Sequence, residues 1–327
     1  MTGSRQRYYA LIKHLSRYHH IYLLSIIRSP RERDYIPAIE KYCHGIDTVI
    51  LEKRIRFRAL CSVLSAVAHG LPLYNSLMTS PELKKKICYL CQTWGIDVVH
   101  IEHIYMAHYI HALPPGMSFR KVLTYNDIVS IQNRRIFRIE RNILHKFGYL
   151  LNSVMMRSYE VKIGLQFDIC LTVSQQDKAF LEKKNPHFSL SYLPNGTDTN
   201  IYTPLPLDAT AKDIIFVGTF RYAPNVDAVL YFYHHIFLKI VNVLSDTEFW
   251  IVGPDPPPPV AKLARNPQVR VTGYVNDLGP YYRKAGVAVA PLRAGGGTRL
   301  KILEAMALGR PVVSTSIGCE GLDVVDG

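Results

Sequence analysis

The sequence predicts an α/β protein made of two doubly wound domains. Short, β-branched apolar runs alternate with longer amphipathic segments along the whole chain, the rhythm of strand–helix units around parallel sheets. The rhythm occurs twice, on either side of a stretch at 195–213 rich in Pro, Thr, Asn and Asp, which reads as a connection between domains. A three-glycine loop then stands between a strand pattern and a helix pattern at 290–309, the place where such sheets take up ligands. The expected organisation is a domain at 1–200, a linker at 201–212 and a second domain at 213–327.

The strands expected in the first domain are IYLLSII (21–27), DTVIL (47–51), IDVVHI (96–101), KVLTY (121–125) and DICLTV (168–173), apolar enough for burial on both faces. Helical patterns lie at 4–18, 31–43, 80–94 and 133–160, and Ser174 with Asp177 resembles a capping box that opens QQDKAFLEKK. In the second domain DIIFVG (213–218), EFWIVG (248–253), VRVTGY (269–274), GVAVAP (286–291) and PVVST (311–315) read as strands. Helices are expected near 224–243, 277–285 and 298–309. Asn195-Gly196 is a turn dipeptide, and Pro256–Pro259 reads as a stiff loop.

The length of 327 residues suits two domains that each bury a core. Apolar residues at 48% and charged residues at 20% exclude a mainly disordered or collagen-like chain. The six cysteines are too sparse for a disulfide scaffold. Cys88 and Cys91 form a C-x-x-C inside a helical pattern with no second pair to complete a zinc site. Buried free thiols favour a reducing compartment. The polar opening MTGSRQRYY has no signal-peptide profile, and no apolar run is long enough to span a bilayer. A cytoplasmic protein is expected.

The net charge is +13, and residues 1–160 hold 23 basic against 11 acidic side chains, nearly all of the excess. A basic first domain suggests an anionic partner such as nucleic acid, acidic lipid or a phosphorylated substrate. Residues 54–73 combine Arg54, Arg56 and Arg58 with an apolar stretch. They read either as a helix lying on an anionic membrane or as an ordinary core helix.

The stretch APLRAGGGTRLKILEAMALGRPVVST (290–315) carries the most chemistry. Gly295, Gly296 and Gly297 let backbone amides approach a ligand. A helix opening near Thr298 aims free N–H groups at whatever sits there. Arg299 adds a fork for phosphate oxygens and Lys301 a point charge. Glu304 can accept bonds from vicinal hydroxyls of a sugar. The same residues also fit a Gly-rich turn whose helix carries solvated side chains, and spacing alone does not choose. His100, Glu102 and His103 end a strand of the first domain, the end at which such sheets take up ligands. Alternate residues of a strand face opposite ways, which argues against a metal site there.

Together with VGTFRYAPNVDAVLYF (217–232), IVGPDP (251–256), VTGYVND (271–277) and LPNGTDTNIYTP (193–204), this stretch resembles the GT-B glycosyltransferases of family 4. In the first half GSRQRYYALIKHLS (3–16), DVVHIEHIYMAHY (97–109) and LTVSQQDKAFL (171–181) keep the family's order. The resemblance implies a GT-B fold, two Rossmann-like domains facing a cleft. It implies an enzyme that moves a sugar from a nucleotide donor, with retention and without metal, to a glycan or lipid-linked acceptor in polysaccharide or cell-surface glycan synthesis. The nucleotide sugar is then a co-substrate, UDP-, GDP- or ADP-linked, and no separate cofactor or nucleic acid is expected. Peripheral contact of the basic domain with the inner face of the cell membrane follows from its charge. Carried over by residue, Glu304 looks like the ribose-binding carboxylate. Gly296, Gly297, Thr298, Leu300 and Lys301 lie where the family holds the diphosphate. Tyr274 and Val275 resemble the segment beside the base, and Gly218 and Thr219 the opposite wall.

Three positions depart from the family's pattern. The first Glu of Glu-x7-Glu is Gly296 here. The Arg and Lys of the loop after the domain's first strand are replaced by Thr219 and Pro224, so Arg299, with Arg221, is inferred to supply the charge. The family's His after the strand matching KVLTY is Asn126, followed by Asp127. Asp127 can act at the acceptor hydroxyl or cap the next helix. His103 is the other acceptor-side candidate. A catalytically silent nucleotide- or glycan-binding relative, or a nucleotide-sugar epimerase of the same fold, stays open. By the family's order the chain is expected to lack a first strand before GSRQRYY and a closing segment after CEGLDVVDG, and hence to be poorly soluble.

Overall fold

The computed structural model describes residues 3–51, 70–206, 208 and 210–326. Arg54, Arg56 and Arg58, with most of the 54–73 stretch, lie outside them, as does Cys61. Two compact units result: Gly3–Ser130 with Leu150–Leu193, and Ile131–Tyr149 with Pro194–Gly327.

The first unit holds strands β1 (Tyr22–Ile27), β2 (Gly45–Ile50), β3 (Val98–Glu102), β4 (Arg120–Tyr125), β5 (Ile169–Thr172) and β6 (Leu190–Tyr192). They form two parallel sheets, β1-β2 and β3-β4-β5-β6. β6 was not expected; its three residues are too short for an alternating pattern to register. Helix Gly3–Leu15 precedes β1, and Pro81–Thr93 precedes β3 with Ser80 accepting from the Leu83 amide. Cys88 and Cys91 sit in that helix, and the cysteines of the described residues are free thiols. The pattern at 31–43 resolves into a 3₁₀ turn at Pro30–Tyr35 and a short helix at Pro37–Glu40, since Pro37 interrupts any longer helix. The long helix expected at 133–160 is two helices, Val129–Ile139 and Ile143–Gly164. They break at Glu140–Asn142, where Asn142 Oδ1 accepts from the Leu144 and His145 amides and so starts the second. Ser174 caps Gln175–Lys184 through the Asp177 amide, as its spacing indicates.

The second unit holds β7 (Asp213–Val217), β8 (Phe249–Val252), β9 (Val269–Gly273), β10 (Ala285–Ala290) and β11 (Val312–Ser314) in one parallel sheet, order β11-β10-β7-β8-β9. Apolar side chains fill both of its faces. Phe216, Val229, Phe237 and Phe249 belong to one cluster, and Ile215, Tyr282 and Ala305 to the other. The Pro run does not stay a loop: Pro257 N-caps a short helix at Pro258–Ala261, where proline's missing N–H costs nothing. Arg310, 2% exposed, donates to the carbonyls of Tyr282, Leu205 and Pro206, so the linker is pinned to the second unit.

The chain leaves β7 and turns back for β8 on one side and β10 on the other, so the strand order switches between β7 and β10. The carboxyl edge at such a switch is where sheets of this kind take up ligands. The loop after β8 presses in from the side. A Cβ at Gly253 would stand 1.8 Å from the Gly218 carbonyl oxygen, and its φ of +150° suits glycine alone. Gly253→Ala is therefore expected to cost about 4 kcal/mol or more. Urea unfolding of the purified variant measures it, and a loss below 1 kcal/mol would show that the loops part freely.

Candidate functional site

The carboxyl edge of the second unit's sheet gathers most of the residues expected there. Gly218 and Thr219 follow β7, and the Gly218 amide donates to the Val252 carbonyl. Asn225, at the start of helix Ala223–Phe232, ties this loop to the other side. Its Nδ2 donates to the Thr219 carbonyl, and its Oδ1 accepts from Lys301 Nζ at 2.9 Å. Lys301 also stands 4.1 Å from the centre of the Phe216 ring. A Cβ at Gly218 would reach within 2.8 Å of Lys301 Nζ, so glycine lets the ammonium lie against the backbone.

The glycine loop comes from β10. Helix Leu300–Ala307 follows it, starting two residues later than expected, with Arg299 in extended conformation at the N-cap and no side-chain cap. The first amides of the helix are thus left for a ligand. Arg299 is only 7% exposed. Its Nη1 donates to the carbonyls of Gly296 and Gly297. Its Nε and Nη2 are buried with no protein partner. Gly295, at φ +124°, makes room: a Cβ there would lie 2.9 Å from Arg299 Nη2 and from the Tyr222 hydroxyl. Thr298 is held by Asn195 Nδ2, and Glu304, buried, accepts from the Tyr202 hydroxyl at 3.2 Å.

Buried donors without partners cost free energy unless a ligand satisfies them. Here a guanidinium edge, an ammonium and a helix N-terminus converge, and the fitting ligand is a multiply charged oxyanion. Burial pushes Lys301 down to about 7; the Arg299 charge pushes the same way and Glu304 opposes them. The ammonium therefore loses its charge as pH rises through 7. Affinity for a multiply charged oxyanion is expected to fall close to tenfold per pH unit above that point. Calorimetry at pH 6.5 and 8.5 reads this, and Lys301→Gln should flatten the profile.

Other expected residues stand apart. Arg221 is exposed and paired with Asp255 at 2.6 Å, so the buried cations of this edge are Arg299 and Lys301. Tyr274 is exposed after β9, two strand spacings or roughly 10 Å from β7, while Val275 packs against the core cluster of Ile215 and Tyr282. Sequence reading missed Asn225, Tyr222 and Arg135. Arg135 donates to the Gly295 carbonyl at 3.1 Å and pairs with Glu320, and Gln132 donates to the Tyr222 hydroxyl. These side chains hold the glycine loop from behind.

In the first unit the ends of β3 and β4 form a second cluster. His100 Nε2 lies 2.7 Å from Thr124 Oγ1 and 3.4 Å from Glu102. Burial raises Glu102 to about 7 against the pull of Arg7. His103 adopts φ +87°, stacks on Tyr105 and is pushed down to about 4 by burial. Asn126 donates to the Tyr8 hydroxyl at 2.8 Å. Asp127 precedes helix Val129–Ile139, whose Ser130 amide and hydroxyl are both taken by Glu160. Among the described residues no group of three or more His, Cys, Asp or Glu is arranged to hold a metal, and no helix is long and apolar enough to cross a membrane.

Residues 211–327 match the family described as glycosyl transferases group 1. No curated protein matches the chain. Among solved structures it is similar to sucrose-phosphate synthase from Thermosynechococcus elongatus, at 17% identity and TM-score 0.66 over 95% of this chain and 75% of that one. It is also similar to trehalose-6-phosphate synthase OtsA, at 12% and 0.58 over 90% and 84%. Anabaena Alr3699/HepE, solved with UDP and glucose, is similar at 13% and 0.55 over 94% and 84%. These likenesses show the GT-B fold, with two Rossmann-like domains. The glycine loop, Arg299, Lys301 and Glu304 all lie within the matched residues.

Proposed function

We propose that the protein is a retaining glycosyltransferase that takes a sugar from a nucleotide-sugar donor. The acceptor is a glycan or a lipid-linked acceptor of polysaccharide or cell-surface glycan synthesis. The observation that carries this reading is the buried Arg299 edge, partnerless beside Lys301 at a helix N-terminus. Cleavage of the anomeric C–O bond leaves growing negative charge on the β-phosphate. Fixed cations and amides at that point stabilise the transition state more than the ground state, which supports a mechanism without a metal. Glu304 accepts the ribose hydroxyls in place of the Tyr202 hydroxyl. The cluster of Glu102, His103, Asn126 and Asp127 serves the acceptor, and the leaving diphosphate takes the acceptor proton in the retaining reaction.

Calorimetric titration with UDP, GDP and ADP tests the donor side. UDP comes first, because HepE was solved with UDP-glucose. One base should bind, and Glu304→Ala should weaken it by roughly tenfold to 100-fold through the lost charge-assisted bonds. Incubation with the matching nucleotide sugar, with product anomers read by NMR, tests retention. No binding of any nucleotide by folded protein would sink the reading.

A further inference from the structure

Helix Ile143–Gly164 carries apolar side chains on its solvent face as well as on its buried one. Its buried face carries Asn152, Ser153 and Glu160 beside Met156 and Ile163. Its solvent face carries Ile143 and Leu144, each 81% exposed, and Phe147, Leu150 and Val154, of which Phe147 is 66% exposed. Ile143, Phe147, Leu150 and Val154 are spaced by four, three and four residues, which aligns them in one stripe over three turns. A single exposed leucine needs no explanation, but a continuous stripe of this kind marks a contact surface.

The charge around the stripe identifies the partner. Arg138 and Arg141 precede it, and Arg157 and Lys162 follow it on the same helix, all exposed. Between 131 and 165 the acidic residues are Glu140, which is largely covered, and Glu160, which is buried. A second copy of this face would bring like charges together. An anionic bilayer fits both features: its acyl boundary takes the stripe and its headgroups take the cations. We propose that the solvent face of Ile143–Val154 docks on anionic membrane lipid, with Arg138, Arg141 and Arg157 at headgroup depth. This stands independently of the donor reading.

Flotation of the full chain with vesicles tests it, using phosphatidylcholine alone and phosphatidylcholine with 30% phosphatidylglycerol (a probe fraction of roughly one anionic lipid in three, enough for a surface potential). The protein should partition onto the anionic vesicles, less so in high salt, and leave the neutral ones. Phe147→Glu with Leu150→Glu should abolish partitioning. Arg138→Ala with Arg141→Ala should weaken it roughly 25-fold, about fivefold per cation. These side chains are exposed, so thermal unfolding of both variants should match the parent. Equal binding to both vesicle types, or no binding by folded protein, overturns the proposal. So does a dimer in solution that Phe147→Glu disperses without any vesicle partitioning, which would make a second copy the occupant.

Discussion

Arg299→Ala should weaken nucleoside diphosphate binding by about 3 kcal/mol or more, roughly 150-fold. Two donors of the guanidinium, Nε and Nη2, are free and buried, and each charge-assisted bond to a phosphate oxygen is worth about 1.5–3 kcal/mol. The same side chain anchors the loop through Nη1 to Gly296 and Gly297, so loss of binding could follow from a loosened loop. Arg299→Gln separates the two roles. An amide can still donate to a loop carbonyl but brings neither charge nor fork. If Arg299 binds the ligand, the Gln variant keeps its thermal stability and loses affinity almost as fully as Ala. If Arg299 only holds the loop, Gln restores affinity while Ala does not, and calorimetry on the two variants tells these apart. Arg221→Ala is the comparison: exposed and spent on Asp255, it should change affinity less than threefold, about 0.6 kcal/mol.

The five-stranded sheet was legible in the sequence because parallel strands buried on both faces must be apolar and β-branched throughout, as runs such as DIIFVG and GVAVAP are. The glycine loop was legible because Gly295 to Lys301 are contiguous. Asn225 was not: it meets Lys301 across 76 positions, and nothing local distinguishes it from any residue after a helix-starting Pro224. Arg299 was legible as a cation but not as a buried one, since its burial depends on the backbone of Gly295. The exposed apolar face of Ile143–Val154 escaped for the opposite reason. Periodicity reports that apolar residues share a side, not which side meets the core. The single helix read at 133–160 also hid its own break, because Glu140–Asn142 end one helix and cap the next without a Gly or Pro.

Glu160→Gln should stabilise the first unit at pH 8 by about 2–3 kcal/mol and do nothing at pH 5. Glu160 is buried beside the start of helix Val129–Ile139. Burial raises it from 4.5 to about 7 despite the Ser130 bonds. The folded state therefore holds this proton more tightly than the unfolded chain, and stability falls as pH rises from 4.5 to 7. Glu102 adds the same trend. His100, His103 and His108 run the other way, each pushed by burial from 6.5 to about 4. They are protonated in the unfolded chain first, so their contribution is lost as pH falls from 6.5 to 4. At about 1.4 kcal/mol for each pH unit of displacement, two carboxyls and three imidazoles nearly cancel between pH 7 and 5. Below 4.5 the carboxyl gain is complete while the imidazole loss continues, and the net cost reaches about 3 kcal/mol near pH 4. Urea unfolding of the parent should show a flat plateau from pH 7 to 5 and a fall below it. Removing one carboxyl by Glu160→Gln should tilt that plateau downward toward acid. A variant no more stable than the parent at pH 8 would mean that the Glu160 carboxylate is fully compensated by Ser130 and that the cancellation does not occur.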